Sequence, residues 1–410
     1  MSEPHSLRTQ AQAIDELLKE LDSFLRQRLS QGWVDAIARG DEDALATSRS
    51  GFDGRAFVQI LGEAGWIVPH WPVEYGGKGV PLEAATQIAE RLDYWRVPRT
   101  PHGSGLILAA PAILAHGSEE TKRRLLPPMA SGAERWCQLF SEPGAGSDLA
   151  GLSTRAVQDG DEWVVKGQKV WTTLGHQAEM GILLARTDPD QPKHKGITYF
   201  AIDLRSPGVD IRPLRQMTGE SEFSEIFLTD VRIPDVFRIG ARGEGWAASL
   251  TTLGAERVAL SGSKTRRKKS KDITGGKTIS EVLALAAEIP MEDRRQWRDR
   301  IVQEYIIARV VEMTAARRGI HGSLTKILNA TSNQGLQVLA VDLLGARATA
   351  WRPENAEEPG FLREFLRTRA NSIEGGTSEI NRNIVGEHVL GLPREPDPHK
   401  GARWKDIPRS

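Results

Sequence analysis

Ile14, Leu17, Leu18, Leu21, Phe24 and Leu25 recur at three- and four-residue steps across residues 11–29, the signature of an amphipathic helix. The same period returns at 57–61 and 84–92, and the Trp71-Pro72-Val73-Glu74-Tyr75-Gly76-Gly77-Lys78-Gly79 stretch between them has the proline and glycine content of a loop. After Gly132 the period changes. Short β-prone runs at 163–165, 170–172, 181–185, 197–202, 209–214 and 225–233 are separated by turn signals such as Asp159-Gly160, Lys166-Gly167 and Pro207-Gly208. This spacing predicts a compact antiparallel barrel or sandwich rather than alternating βαβ units. Helical spacing resumes over 246–260, 279–287, 300–318, 324–344 and 379–390. The order is helices, then strands, then helices, without a solenoid-type repeat.

Composition narrows the function classes. In 410 residues, 54 Lys+Arg balance 54 Asp+Glu, so no global basic field exists to hold nucleic acid or an anionic membrane. The one cysteine, Cys137, excludes an internal disulfide framework and a cysteine-cluster metal site, and no metal centre is expected. The longest uncharged stretch, 100–118, is broken by Pro101, Pro111 and three glycines and would make a poor membrane span. With acidic residues at Glu3, Asp15, Glu16, Glu20 and Asp22, the start of the chain does not resemble a transit peptide, and a cytoplasmic location is expected.

Familiar chemistries fail on their residues. Gly276-Lys277-Thr278 lacks the earlier P-loop glycine, since position 271 is lysine. Leu149 replaces the third glycine of a dinucleotide fingerprint begun by Gly144 and Gly146. Neither a His-Glu-x-x-His pair nor a Gly-x-Ser-x-Gly elbow is present. What remains is Ser141-Glu142-Pro143-Gly144-Ala145-Gly146-Ser147-Asp148, followed by Gly167-Gln168-Lys169-Val170-Trp171-Thr172-Thr173. The first is a glycine-rich loop whose backbone N–H groups can approach a ligand closely, and the second sets a flat indole beside two hydroxyls. Such a surface suits a flat heteroaromatic ring. Taken alone, each piece is more simply an ordinary β-turn and a core tryptophan.

Together, the strings Glu-Pro-Gly-Ala-Gly-Ser-Asp and Gly-Gln-Lys-x-Trp-x-Thr resemble the hallmark of the acyl-CoA dehydrogenase family of flavoproteins. The resemblance extends to 72–79, to Asp230-Val231-Arg232-Ile233-Pro234 and to the run from Ile373 to Arg382. It implies an α+β multi-domain chain: an all-α N-terminal domain (1–131), an antiparallel β-barrel middle domain (132–240), an all-α C-terminal helical bundle (241–396) and a tail (397–410). It further implies FAD held between the β-domain and the C-terminal helices, against an acyl-CoA thioester. The cofactor-contacting residues implied are Leu139, Ser141, Gly146, Ser147, Trp171, Thr173, Thr377 and Glu379. Ser141 and Thr173 would meet the pyrimidine edge and N5 region, with Trp171 packed on the ring and expected to be buried there. Ser147 would also lie near the CoA pantetheine, and Arg257 and Gly375 would line the substrate side. An electron-transfer flavoprotein is the implied electron acceptor.

α,β-Dehydrogenation needs a carboxylate to remove the α-proton while the β-hydrogen leaves as hydride. Many members place this glutamate immediately before Gly-Thr-Ser, where this chain has Gly375, with Glu374 one residue early. A minority, resembling isovaleryl- and long-chain-type enzymes, supply it from an earlier Glu-Arg string, here Glu256-Arg257. Glu256 would share a helical face with Ser249, Thr252, Leu253, Ala259 and Leu260, a weakly polar surface that raises a carboxyl pKa toward neutrality. Glu256 is therefore the expected base. Two departures stand out. The Arg-x-x-Phe-Gly string that reaches a neighbouring subunit's FAD is replaced by a basic run from Lys264 to Lys271, and the Gln-x-x-Gly-Gly-x-Gly string is degraded to the run from Asp342 to Ala348. Both bear on assembly, and bacterial relatives acting on bulky or steroid-derived acyl-CoAs often pair unlike subunits. Three readings follow: an active dehydrogenase in a homo- or hetero-oligomer, a structural partner subunit, or flavin oxidase or monooxygenase chemistry on the same fold.

Overall fold

The computed structural model describes residues 3–100, 103–260, 275–317, 319–350 and 360–408, without the side chains of 3–11, 257–260 and 349–350. Seven helices come first: α1 (Glu3–Arg26), α2 (Gln31–Arg39), α3 (Glu42–Ser48), α4 (Gly54–Glu63), α5 (Leu82–Tyr94), α6 (Ala110–His116) and α7 (Glu119–Ser131). Ser30, Asp41, Asp53 and Ser118 cap α2, α3, α4 and α7 by accepting from otherwise unpaired first-turn N–H groups. The predicted loop over 71–79 folds inward, burying Trp71 and Tyr75, and the Tyr75 hydroxyl donates to Glu119 Oε2 at 2.5 Å. A one-turn π-helix, Gly105–Ala109, leads into α6.

The strands are β1 (Trp136–Leu139), β2 (Arg155–Asp159), β3 (Glu162–Thr173), β4 (Met180–Arg186), β5 (Ile197–Asp203), β6 (Val209–Leu214), β7 (Phe223–Pro234) and β8 (Arg238–Ile239). They form one sheet in the order β6-β7-β3-β2-β4-β5-β8, with β1 paired to β4. This corrects the expected antiparallel barrel. β1 runs parallel to β4 and β2 meets β4 through a parallel bridge, so the sheet is mixed. Alternation reports which face of a strand is buried and carries nothing about the direction of its neighbour. A second correction concerns Lys166-Gly167, which is no turn but a register shift inside β3, where a Cβ on Gly167 would lie 2.4 Å from Thr154 Oγ1.

Each face of β1 serves a different core. Cys137 and Leu139 point into the β-domain interior with Trp163, Phe200 and Ile226, while Trp136 and Phe140 point toward the helices with Ile113, Leu126 and Tyr199. β4 and β5 are buried along nearly their whole length because both faces are covered.

The C-terminal helices are α8 (Gly245–Leu260), α9 (Ile279–Ala287), α10 (Met291–Arg294), α11 (Arg298–Ala315), α12 (Gly322–Leu344), α13 (Phe361–Thr368) and α14 (Ser378–Ile384). α9 begins in a reciprocal capping box between Thr278 and Glu281, so Gly276-Lys277-Thr278 is a helix start. Beyond α14 the chain returns to the β-domain. Trp404 Nε1 donates to Gly151 O at 3.3 Å, the Arg186 guanidinium stacks 4.6 Å from the Trp404 ring, and Lys405 pairs with Asp190 at 2.5 Å. Among the described residues no helix is long and apolar enough to cross a membrane.

Candidate functional site

Both signature strings are joined by a buried ion pair. Lys169 Nζ lies 2.8 Å from Glu142 Oε1 and 3.0 Å from Phe140 O, with both side chains almost entirely closed to solvent. Glu142 also accepts from Ser153 N at 2.7 Å, Ser153 Oγ at 2.8 Å and Thr154 N at 2.9 Å. Burial pushes the Glu142 carboxyl up, but the Lys169 charge and these hydrogen bonds outweigh it and hold the group at about 2. Burial in turn pulls Lys169 down against the pull of Glu142. Val170 N donates to Ser141 O at 3.0 Å, completing the junction.

Around this anchor the expected ligand-facing groups stay open. Gly146, Ser147 and Thr173 are exposed, Ser141 is half-buried, and Cβ atoms built on Gly144 and Gly146 would meet nothing within 4 Å. Trp171, expected to pack against the flavin, is 60% exposed in the chain alone, touching Phe223 edge-on at 5.7 Å, and its φ of 61° falls in the left-handed region within a second register shift of β3. Such a conformation costs a non-glycine residue about 1–2 kcal/mol. The adjacent Thr172 Oγ1 is buried without a hydrogen-bond partner among the described residues. A strained, open indole beside an unsatisfied hydroxyl fits a flat polar-edged ring and fits a core tryptophan poorly. Leu139, fully closed inside the β-domain core, has only its backbone left for a ligand.

The C-terminal contribution centres on residues 374–381. Gly375 and Gly376 both adopt positive φ, 63° and 83°, and the Gly376 carbonyl accepts from Lys326 Nζ at 2.6 Å and Asn381 Nδ2 at 2.9 Å. Thr377 caps α14 by accepting from Ile380 N at 3.1 Å, and exposed Glu379 pairs with Arg382 at 3.1 Å. Glu374 is clamped, accepting from Arg367 Nη2 at 3.1 Å and Asn371 Nδ2 at 2.8 Å. Arg367 also reaches Glu222 at 3.6 Å, beside Phe223, which pairs with Thr173 across β7 and β3. The end of the tryptophan strand and the 374–377 turn are thereby brought together.

Glu256 stands on α8, half-buried, one turn beyond Thr252, whose hydroxyl donates to Leu108 O at 3.0 Å in the π-helix and bonds Tyr199 Oη at 2.8 Å. Gln138 Nε2 approaches Glu256 Oε2 at 3.5 Å. The Arg257 side chain and the Lys264–Lys271 run lie outside the described residues. Asp342, in the degraded string, pairs with Arg300 at 2.8 Å, so a structural ion pair occupies part of that segment.

Sequence reasoning missed Gln138, Lys326 and Asn381. Lys326 carried a readable signal: it is the one charged residue of α12 before Asp342. Gln138 followed from the alternation of β1, which sends Cys137 and Leu139 to one side and Gln138 to the other.

Family models match in three consecutive stretches: acyl-CoA dehydrogenase N-terminal domain over residues 16–133, middle domain over 137–231 and C-terminal domain over 275–390. The chain is 37% identical to acyl-CoA dehydrogenase IpdE1 of Mycobacterium tuberculosis over 92% of its own length and 99% of the relative's. It is 38% identical to acyl-CoA dehydrogenase FadE34 of the same organism over 82% of its length, and spans about half of that longer relative, 46%. Among solved structures, the Tcur3481–Tcur3483 steroid acyl-CoA dehydrogenase aligns with a TM-score of 0.67 at 27% identity, covering 93% of this chain and 98% of that one. The ChsE4–ChsE5 complex from Mycobacterium tuberculosis aligns with 0.62 at 26% identity, covering 94% and 98%.

Proposed function

Because the chain belongs to the acyl-CoA dehydrogenase family of flavoprotein oxidoreductases, we propose that it binds FAD and introduces an α,β double bond into a bulky acyl-CoA, with Glu256 as the proton-abstracting base. Bound FAD supplies the acceptor for the β-hydrogen. Ser141, Gly146, Ser147, Trp171 and Thr173 would hold it from the β-domain and Thr377 and Glu379 from the C-terminal side. The α-proton passes to a Glu256 carboxylate oxygen, with Gln138 limiting the rotation of that carboxylate.

One observation carries the choice of base. Gly375 offers no side chain at the family's usual position, and the neighbouring carboxylate, Glu374, is committed to Arg367 and Asn371. Glu256→Gln keeps size and polarity and should slow flavin reduction by about 10²–10⁴-fold with FAD still bound, the usual contribution of a positioned base. Glu374→Gln should stay within about tenfold of wild type. Rapid mixing with a verified acyl-CoA decides between them, and the reverse order would transfer the role to Glu374.

A steroid-derived acyl group and an unlike partner subunit are favoured by two solved structures the chain resembles, a steroid acyl-CoA dehydrogenase and the ChsE4–ChsE5 complex. An exposed apolar stripe on α11, Val302, Ile306, Val310 and Met313, gives such a partner a surface. An electron-transfer flavoprotein is the proposed electron acceptor. Anaerobic bleaching of the purified chain across short, branched and steroid-side-chain acyl-CoAs tests the substrate class. A colourless chain that acquires FAD only with a second polypeptide would support the structural-subunit reading.

A further inference from the structure

Two arginines one turn apart on α13 reach across to the loop that leads into β7. Arg363 Nη2 lies 3.0 Å from Glu220 Oε1, and Arg367 Nε lies 3.6 Å from Glu222 Oε2. The spacings match, since four helical residues rise about 6 Å and two residues entering a strand span about 6–7 Å. Arg367 faces the other way as well, its Nη2 meeting Glu374 Oε2 at 3.1 Å. Only 5% of it is exposed, and its stem lies so close to the Gly275 backbone that a Cβ there would come within 2.7 Å of Arg367 Cγ. A guanidinium gripped in this way has little freedom to leave either carboxylate. Each carboxylate is tied in turn to one wall of the candidate site. The Glu222 carbonyl accepts from Leu174 N at 2.7 Å, directly after Thr173, while Glu374 precedes the Gly375–Gly376 turn and also accepts from Asn371 Nδ2 at 2.8 Å.

We propose that Arg367 is a positioning residue that sets the spacing between the two walls of the flavin slot, with Arg363 as the second attachment of α13 to the β-domain. The inference rests on the reading of this site as an FAD site, and it does not depend on which carboxylate is the base. Its physical basis is the planar, many-donor guanidinium, which holds two carboxylates in fixed directions where an ammonium is a single point of charge. The Glu222 side chain is 42% exposed, so its contact with Arg367 contributes little to stability and acts on geometry instead. The two walls come from different domains, and neither backbone by itself fixes their separation. A ring bound between them is sensitive to that separation, because a misplacement of about 1 Å at a reacting centre can cost about 10²-fold in rate.

The test compares the full chain with its Arg367→Lys variant, a partner polypeptide being present if FAD uptake needs one. Hydrogen exchange is followed by mass spectrometry in peptides covering 168–176 and 373–381, and FAD release by the recovery of free-flavin fluorescence. Arg367→Lys should speed exchange in both peptides and release FAD about tenfold faster, the consequence of losing one charge-assisted contact. Glu222→Gln leaves the contact between Arg367 and Glu374 in place and should show the same two effects, and it carries the test alone should Arg367→Lys not fold. The double variant should release FAD no faster than Arg367→Lys. Faster exchange confined to 373–381 in Arg367→Lys, or unchanged FAD release in Glu222→Gln, overturns the proposal. An arginine that only stabilised α13 would lower the melting temperature and leave exchange in 168–176 as it was. Failure of the FAD reading is separable: a wild-type chain that takes up no FAD, alone or with a partner, removes the flavin slot whatever the exchange shows.

Discussion

Replacing Lys169 with methionine removes the cation from the junction of the two signature strings while keeping the length of its side chain. The Glu142 carboxylate would then stay buried with hydrogen bonds from Ser153 and Thr154 but without an opposite charge. Holding that carboxyl at about 2 instead of 4.5 corresponds to about 3 kcal/mol, at about 1.4 kcal/mol per pH unit. Stripping one partner from a buried pair costs about 3–5 kcal/mol, which agrees. The folded carboxyl lies below its ordinary value, so this contribution is complete above pH 4.5 and is lost as pH falls from 4.5 toward 2. Denaturant titrations followed by tryptophan fluorescence, at fixed protein and FAD concentration and at several pH values, should show Lys169→Met destabilised by about 3–5 kcal/mol at neutral pH. Its stability should also fall less steeply below pH 4.5. In Lys169→Met/Glu142→Gln the loss should be about 2 kcal/mol smaller than the sum of the single variants, because neither charge is stranded. A single-variant loss below about 1 kcal/mol with an unchanged acid transition would show that the pair is not what joins the loop to the strand.

Trp171→Gly should leave the melting temperature of the FAD-free chain unchanged or raise it, by relieving a left-handed residue worth about 1–2 kcal/mol, yet release FAD at least about tenfold faster. Parallel loss of both properties would make the indole a packing residue. Ile306→Asp combined with Met313→Asp on α11 should lower the mass measured by light scattering, and an unchanged oligomer would place the interface elsewhere. Trp404→Ala removes a hydrogen bond to Gly151 and the stack under Arg186, so unfolding should be easier by about 1–2 kcal/mol, read by thermal melts.

The helical and strand-bearing stretches were legible because their burial follows periods of 3.6 and 2, as in α5 and β7. Strand direction was not, since β1 reads the same whether it runs with or against β4. Gly167 shows a local limit: a glycine inside a strand signals either a turn or a close approach, and only Thr154, distant in sequence, decides for the latter. Trp171 shows the converse. Its place in the sequence resemblance set it against a flat ring, and the register shift in β3 leaves the indole open on the protein side. Lys326 and Gly376 are far apart in sequence, and no periodicity reports the hydrogen bond that joins them.

The return of residues 403–406 to the β-domain has a consequence in time. Trp404 closes on Gly151 across 253 positions, and Lys405 and Arg403 both draw on Asp190. A ribosome delivers the β-strands first. At about 5–20 residues per second, the hairpin after β4 would wait on the order of 10–40 seconds for its cover to emerge. During that interval the ring face over Arg186 is vacant and the loop ending at Gly151 lacks one of its tethers. The last adjustment of the ligand-facing loop is thus made late in synthesis, by a segment that supplies none of the residues assigned to the chemistry.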